Sequence, residues 1–180
     1  MPNWNSNAIN ITGPAHKIRA LWESAQTADN GEFGLLQALA PMPADLADTD
    51  ADGVMPNWYN WRLANWGTKW DIDSDGLEFL EHDNGHASIT GWANSAWSPP
   101  IEAFRTYADA NDDVYLELKY FEPGMSFIGL WDSDGGDDYW EDVGSKSILN
   151  TTKEEDPVLY ELLEEFDVWS RYAEEDFDEE

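Results

Sequence analysis

A chain of 180 residues with 42% hydrophobic content and eleven tryptophans is long enough for one sizeable core and too apolar for general disorder. It has no cysteine, which excludes disulfides and thiolate metal sites, and neither a signal peptide nor a membrane-spanning run is legible in it. Nine basic residues against 38 acidic ones give a formal net charge of −29, which argues against direct nucleic-acid binding because phosphate contacts need Lys and Arg.

In chain order, Asn7 to Thr12 alternates like a strand with one apolar face. Gly13-Pro14 ends it and opens a helix whose inner side is Ala15, Ile18, Leu21, Trp22 and Ala25, ending near Asn30-Gly31. Phe33 to Pro43 is a short apolar piece broken by prolines, and Ala44 to Gly53 is an acidic loop. Asn57 to Asp71 then concentrates four tryptophans, with Tyr59, Leu63, Trp66 and Trp70 at helical spacing, and this spacing predicts a helix that Gly67 leaves through a left-handed backbone. Such rings dominate any core they join, so the segment reads as a packing centre rather than a site.

Leu77–Glu81 and Ala87–Asn94 read as strands joined by a hairpin at Asn84-Gly85. A second helix follows Pro99-Pro100, with Ser98 as its cap and Ile101, Phe104, Tyr107 and Ala108 inward. Val114 to Phe121 is the clearest strand; a Pro-Gly turn leads to another at Ser126–Asp132 and a further one at Tyr139–Val143. This order predicts an α+β fold: a ferredoxin-like split βαβ sheet with one helix layer, a Trp-rich helical insertion at about 31–70 and an acidic C-terminal helix. Residues 1–150 form the sheet domain, and 151–180 the amphipathic helix with a fraying DFDEE end. From Glu154 onward thirteen acidic residues face a single Arg171, while Leu159, Leu162, Leu163, Phe166, Trp169 and Ala173 mark a docking face.

The motifs PNWNSN (2–7), PMP (41–43), NWGTKWD (65–71), AWSPP (96–100) and YFEPGMSFIG (120–129) resemble the YubB ferredoxin-like family of plasmid- and phage-borne bacterial proteins. The resemblance covers roughly residues 1–129 and implies a ferredoxin-like fold, a mobile-element origin and a bacterial cytoplasmic location. It implies no activity, because the family is of unknown function. Where the family commonly has cysteine, this chain has Asn5, so no thiol role carries over.

Two stretches, Asp48/Asp50/Asp52/Gly53 and Asp71/Asp73/Asp75/Gly76, have the spacing of a calcium loop, yet Tyr59 and His82 stand where the closing glutamate belongs. Asp132, Asp134, Asp137 and Asp138 form a third acidic cluster. His82 and His86 flank the hairpin as ordinary turn residues, too few for zinc. No phosphate loop or nucleophile motif occurs, so neither an enzyme, a metal nor a cofactor is expected.

The charge remains to be explained, since a small domain stays dispersed with a net magnitude of about 2–8. A halophilic source, cation sites and a basic partner are the competing explanations. Carboxylates three and four apart on a helix lie ~5–6 Å from one another and can imitate a phosphate track. The expected function is a DNA mimic that occupies the basic groove of a host DNA-binding or defence protein. Its partner-binding residues are Glu154, Glu155, Asp156, Glu161, Glu164, Glu165, Asp167, Glu174 and Glu175, joined by Asp132, Asp134, Asp137 and Asp138. The alternatives are an interaction module using apolar surface, or a calcium-binding accessory protein.

Overall fold

The computed structural model describes residues 3–175, with side chains through Ala173. Pro2, the side chains of Glu174 and Glu175, and the final DFDEE lie outside the described residues. The chain is an α+β fold built on an antiparallel six-stranded sheet with the order β2-β3-β1-β4-β5-β6. Its first four strands are β1 (Trp4–Pro14), β2 (Leu77–Glu81), β3 (His86–Ala96) and β4 (Tyr115–Glu122). They follow the split βαβ order, with β1 hydrogen-bonded between β3 and β4. β5 (Phe127–Asp132) and β6 (Asp137–Glu141) extend the β4 side by two hairpins.

Period-two alternation sends Ile9, Ile11, Ile89, Leu116, Leu118 and Tyr120 to one face, where all are buried. Three helices cover that face: α1 (Ala15–Ala25) through Ile18, Leu21 and Ala25, α2 (Leu35–Leu39) through Leu35, Leu36 and Leu39, and α4 (Ile101–Ala110) through Ala103 and Phe104. α4 has no side-chain cap. The expected cap, Ser98, instead donates its hydroxyl to Gly67 O at 2.5 Å, tying the start of α4 to the exit of the tryptophan segment.

That segment contains α3 (Trp58–Asn65), capped by Asn57, whose side chain accepts from Asn60 N. Gly67 does leave it at φ +84. The expected apolar stripe is only partly realised. Trp66 is fully buried, but Leu63 and Trp70 are exposed, and Trp58 and Trp61 pack on the core instead. The short helix presents a single side inward, and Arg62 lies on that side, its guanidinium carbon 4.5 Å from the Trp66 ring centroid.

At the β2–β3 contact, Gly91 adopts φ +136 and its backbone passes against Gly76 O, which accepts from Trp92 N. A Cβ on Gly91 would collide with that carbonyl, so Gly91→Ala should cost at least ~2 kcal/mol, read as a lower urea midpoint with unchanged slope.

The C-terminal segment folds back on the opposite sheet face. After α5 (Lys146–Leu149), the single expected helix is two: α6 (Pro157–Glu165) and α7 (Val168–Glu175), parted at Asp167 with φ +50. Leu159, Leu162, Leu163 and Val168 bury there against Phe121, Ile128 and Val143. The break restarts the helical phase, so Ala173 is exposed while Val168 and Tyr172 pack inward. Phe166 wedges edge-on to Trp92 at 5.3 Å and beside Phe121 at 5.9 Å.

Candidate partner-binding surface

Strand pairing places Glu117 opposite Asp132, Lys119 opposite Leu130, and Leu130 opposite Asp138, all on the face that carries α6. Lys119 is the cation at the middle of this group. Its ammonium binds Glu165 at 2.8 Å and lies 3.9 Å from Glu117. Burial would lower its pKa, yet the hydrogen bond and charge of Glu165, then the charges of Glu117 and Glu161, carry it above the ordinary lysine value. Tyr115 donates to Glu117 at 3.1 Å, and its hydroxyl is pushed well up by burial, then by Glu117, Asp132 and Asp134. Glu117 thus stands between the hairpin carboxylates, which act on Tyr115, and those of α6, which act on Lys119, although Asp132 and Glu161 are 29 positions apart along the chain.

The expected partner-binding residues divide by what their carboxylates already do. Asp156 caps α6 by accepting from Leu159 N, and Glu155 accepts from the Thr152 backbone and hydroxyl. Asp132 accepts from Asp134 N and Gly136 N, holding the β5–β6 turn. Asp167 accepts from the Ser170 hydroxyl in the turn between α6 and α7. Glu161 pairs with Lys153 at 3.4 Å, and Glu165 with Lys119. Glu154, Glu164, Asp134, Asp137 and Asp138 are exposed. Glu174 and Glu175 belong to α7, their side chains outside the described residues.

The cluster at 132–138 is not one patch. Strand alternation turns Asp138 toward the α6 side and Asp137 toward the other, where it adds to the raised pKa of Tyr120 that burial chiefly causes. Among the described residues, no three His, Asp or Glu side chains converge as metal ligands. The Asp71 loop shows one reason: Asp71 is turned inward and accepts from Leu36 N, Gln37 N and Ile72 N, each at 2.8 Å. Burial, only partly offset by those three bonds, pushes its carboxyl up to about 6. His82 is engaged with Ser88 at 2.9 Å rather than with His86.

The basic side chains are largely spent inside the molecule. Lys17, Arg19, Arg105, Lys119 and Lys153 sit in ion pairs, while Arg62 and Lys69 lie over tryptophan rings. Little positive charge remains to interrupt the outward negative field.

A second surface lies apart from the expected partner-binding residues and bears on the alternative of an interaction module using apolar surface. Residues 3–7, 65–71 and 96–100, from the motifs PNWNSN, NWGTKWD and AWSPP, converge at one end of the sheet. Asn5 and Asn7 are fully buried there; Asn7 Nδ2 donates to Asn5 O, Ala93 O and Ser95 Oγ, and Thr68 Oγ1 donates to Ala96 O. Asn5 Oδ1 has no hydrogen-bond partner among the described residues. Outside this polar knot stand Trp4, Trp70 and Trp97, each between 38% and 48% exposed. The signal was present, since these motifs crowd small polar residues beside tryptophans, but no helical or strand period links them.

No protein-family model matches the chain, and no curated protein matches it. Among solved structures, the chain is similar to that of a protein api92 from Yersinia pseudotuberculosis, family model DUF1281, at 17% identity and a TM-score of 0.34. The match covers 50% of this chain and 31% of that one, so this chain spans about a third of that structure's length. A likeness at that level says nothing about activity. No helix among the described residues is long and apolar enough to cross a membrane.

Proposed function

We propose that this chain is a DNA-mimicking inhibitor from a phage or plasmid, similar to the YubB ferredoxin-like family, that occupies the basic groove of a bacterial host DNA-binding or defence protein. It acts without catalysis, cofactor or membrane association, in the host cytoplasm. The observation that carries the reading is one sheet face that holds Glu117, Asp132 and Asp138 together with Glu161 and Glu165 of α6, where Lys119 meets Glu117, Glu161 and Glu165, and Asp134 in the β5–β6 turn adds its charge at Tyr115. Docked helices and paired strands hold these carboxylates, so little ordering entropy is spent on presenting them. A field of this sign would steer a cationic groove and would weaken steeply with salt.

The test is capture of a partner from a bacterial host, followed by quantitative binding. Glu161→Gln, Glu164→Gln, Asp134→Asn and Asp138→Asn together spare the capping carboxylates and the Glu165–Lys119 pair. Their combination should weaken binding at least ~30-fold at low salt, at roughly 0.5–1 kcal/mol for each lost contact. The partner should also be competed off by duplex DNA. Binding unchanged in the quadruple variant would reject mimicry. Binding that tightens with salt would favour the second reading, an apolar interface, for which the exposed tryptophans at the sheet end are the motivating observation.

A further inference from the structure

Away from the carboxylates near Lys119, the sheet end carries a small cleft with a different chemistry. Trp4, Trp70, Asp71, Asp73 and Asn94 line a cavity of about 200 Å³. The two indoles stand side by side, centroids 6.1 Å apart and tilted by 37°. Trp4 is 48% exposed and Trp70 40%, an unusual surface position for rings of this size. Pockets for whole small ligands run to ~300–1,000 Å³, so this one suits a side-chain head group.

We propose that this cleft binds a guanidinium, the arginine side chain of a basic polypeptide. Aromatic walls attract cations through the negative face of the ring, and the carboxylates beneath supply the charge partner. The surface already shows this behaviour toward its own chain. Lys69 Nζ lies 3.9 Å from the Trp70 ring centroid and 4.1 Å from that of Trp97. Trp97 holds that place at φ +69, a left-handed conformation that a bulky residue rarely adopts and that the surrounding structure must maintain. Lys69 is not part of the cleft lining, so the Trp4 side is left for a second cation.

The carboxylates fit the same ligand. Asp71 forms part of the cleft lining, its position fixed by Leu36 N and Ile72 N on Oδ1 and Gln37 N on Oδ2, and contributes its charge from beneath. Asp73 is exposed at the rim. Guanidinium is favoured over ammonium because it is planar, stacks on an indole, is less strongly hydrated and pairs with carboxylates through two donors. With a net charge of −29, the chain attracts basic polypeptides to every part of its surface, and the cleft would select arginine among their side chains. Its use by the same partner rests on the proposed function; the chemistry of the cleft does not.

The experiment titrates the full chain with N-acetyl-arginine amide and, separately, N-acetyl-lysine amide, following assigned indole N–H resonances by NMR. Saturable movement of the Trp4 and Trp70 signals is expected at millimolar concentration, with arginine at least threefold tighter than lysine. Asp73→Asn and Trp4→Ala should each weaken it at least fivefold, whereas Trp4→Phe, which keeps an aromatic wall, should stay within threefold. The pair Glu161→Gln and Glu164→Gln should leave it unchanged. Shifts that do not saturate, that persist in Asp73→Asn and Trp4→Ala, or that vanish with the distant glutamates would overturn the assignment. Failure of partner capture with the titration intact would sink mimicry alone; the reverse would sink the cleft alone.

Discussion

Replacing Trp66 with alanine should lower the free energy of unfolding by about 4 kcal/mol, the middle of the range for large aromatic truncations. Trp66 is fully buried. Trp61 meets its ring edge-on at 6.1 Å, and the Arg62 guanidinium lies over the ring at 4.5 Å. Removing the indole takes the aromatic face from a half-buried cation as well as leaving a void. The indole N–H also donates to Ala40 O at 2.8 Å, fixing the end of α2 against the tryptophan segment. Natural domains have only ~5–15 kcal/mol in total, so the loss should put the variant near the edge of folding at 37 °C. Trp66→Phe separates the contributions: it keeps most of the packing, orphans the Ala40 carbonyl, and should cost ~2 kcal/mol. Trp70→Ala, at an exposed ring, should cost under ~1 kcal/mol in the same urea titration. Equal losses for Trp66→Ala and Trp70→Ala would mean that the packing centre lies elsewhere.

That contrast marks how far the sequence was legible. β4 could be read because Val114, Leu116, Leu118 and Tyr120 keep a strict period of two and are all buried. The β2–β3 hairpin follows from Asn84-Gly85, with Gly85 at φ +80. Sheet order followed from the order of elements, since short connections leave few topologies for strand, helix and hairpin in that succession. The tryptophan segment was harder, because Trp58, Tyr59, Trp61 and Leu63 spread apolar groups over most of the circumference of α3, and periodicity alone could not choose Trp58 and Trp61 over Tyr59 and Leu63. In the C-terminal segment, a left-handed Asp167 gives no period signal, so Trp169 still packs inward as its spacing suggests but Ala173 does not. The acidic site was the least legible part. With 38 carboxylates, composition could not separate those that cap turns, such as Asp132 and Asp156, from exposed ones such as Asp134 and Glu164. Nor could it show that Asp71 faces inward.

Asp71 gives the chain an unusual response to pH. Its carboxyl is raised from 3.8 to about 6 in the folded state, chiefly by burial, with Asp29 adding to the rise and the bonds from Leu36, Gln37 and Ile72 opposing it. Between pH 4 and 6 the native chain therefore holds a proton that the unfolded chain has released. The stabilisation is complete below about 4 and is lost as pH rises through 6, which amounts to about 3 kcal/mol at ~1.4 kcal/mol per tenfold difference in proton affinity. Repulsion among the surface carboxylates has the same sign, because protonation relieves it. The exposed Lys17–Asp113 pair acts the other way, its aspartate held low by the lysine, but at the surface its contribution is small. Stability should thus increase as pH falls from 7.5 to about 5, the reverse of ordinary acid denaturation. Salt distinguishes the two sources. At 1 M the screening length is about 3 Å, so the surface part should collapse while the buried Asp71 part persists. Asp71→Asn keeps the shape and one amide-accepting oxygen while removing the titration, its amide nitrogen facing the N–H that the other oxygen accepted. In 1 M salt it should cut the slope of unfolding free energy against pH, between 4 and 6, by up to one proton. Urea titrations across that range measure it, and an unchanged slope would show that Asp71 remains charged inside the fold.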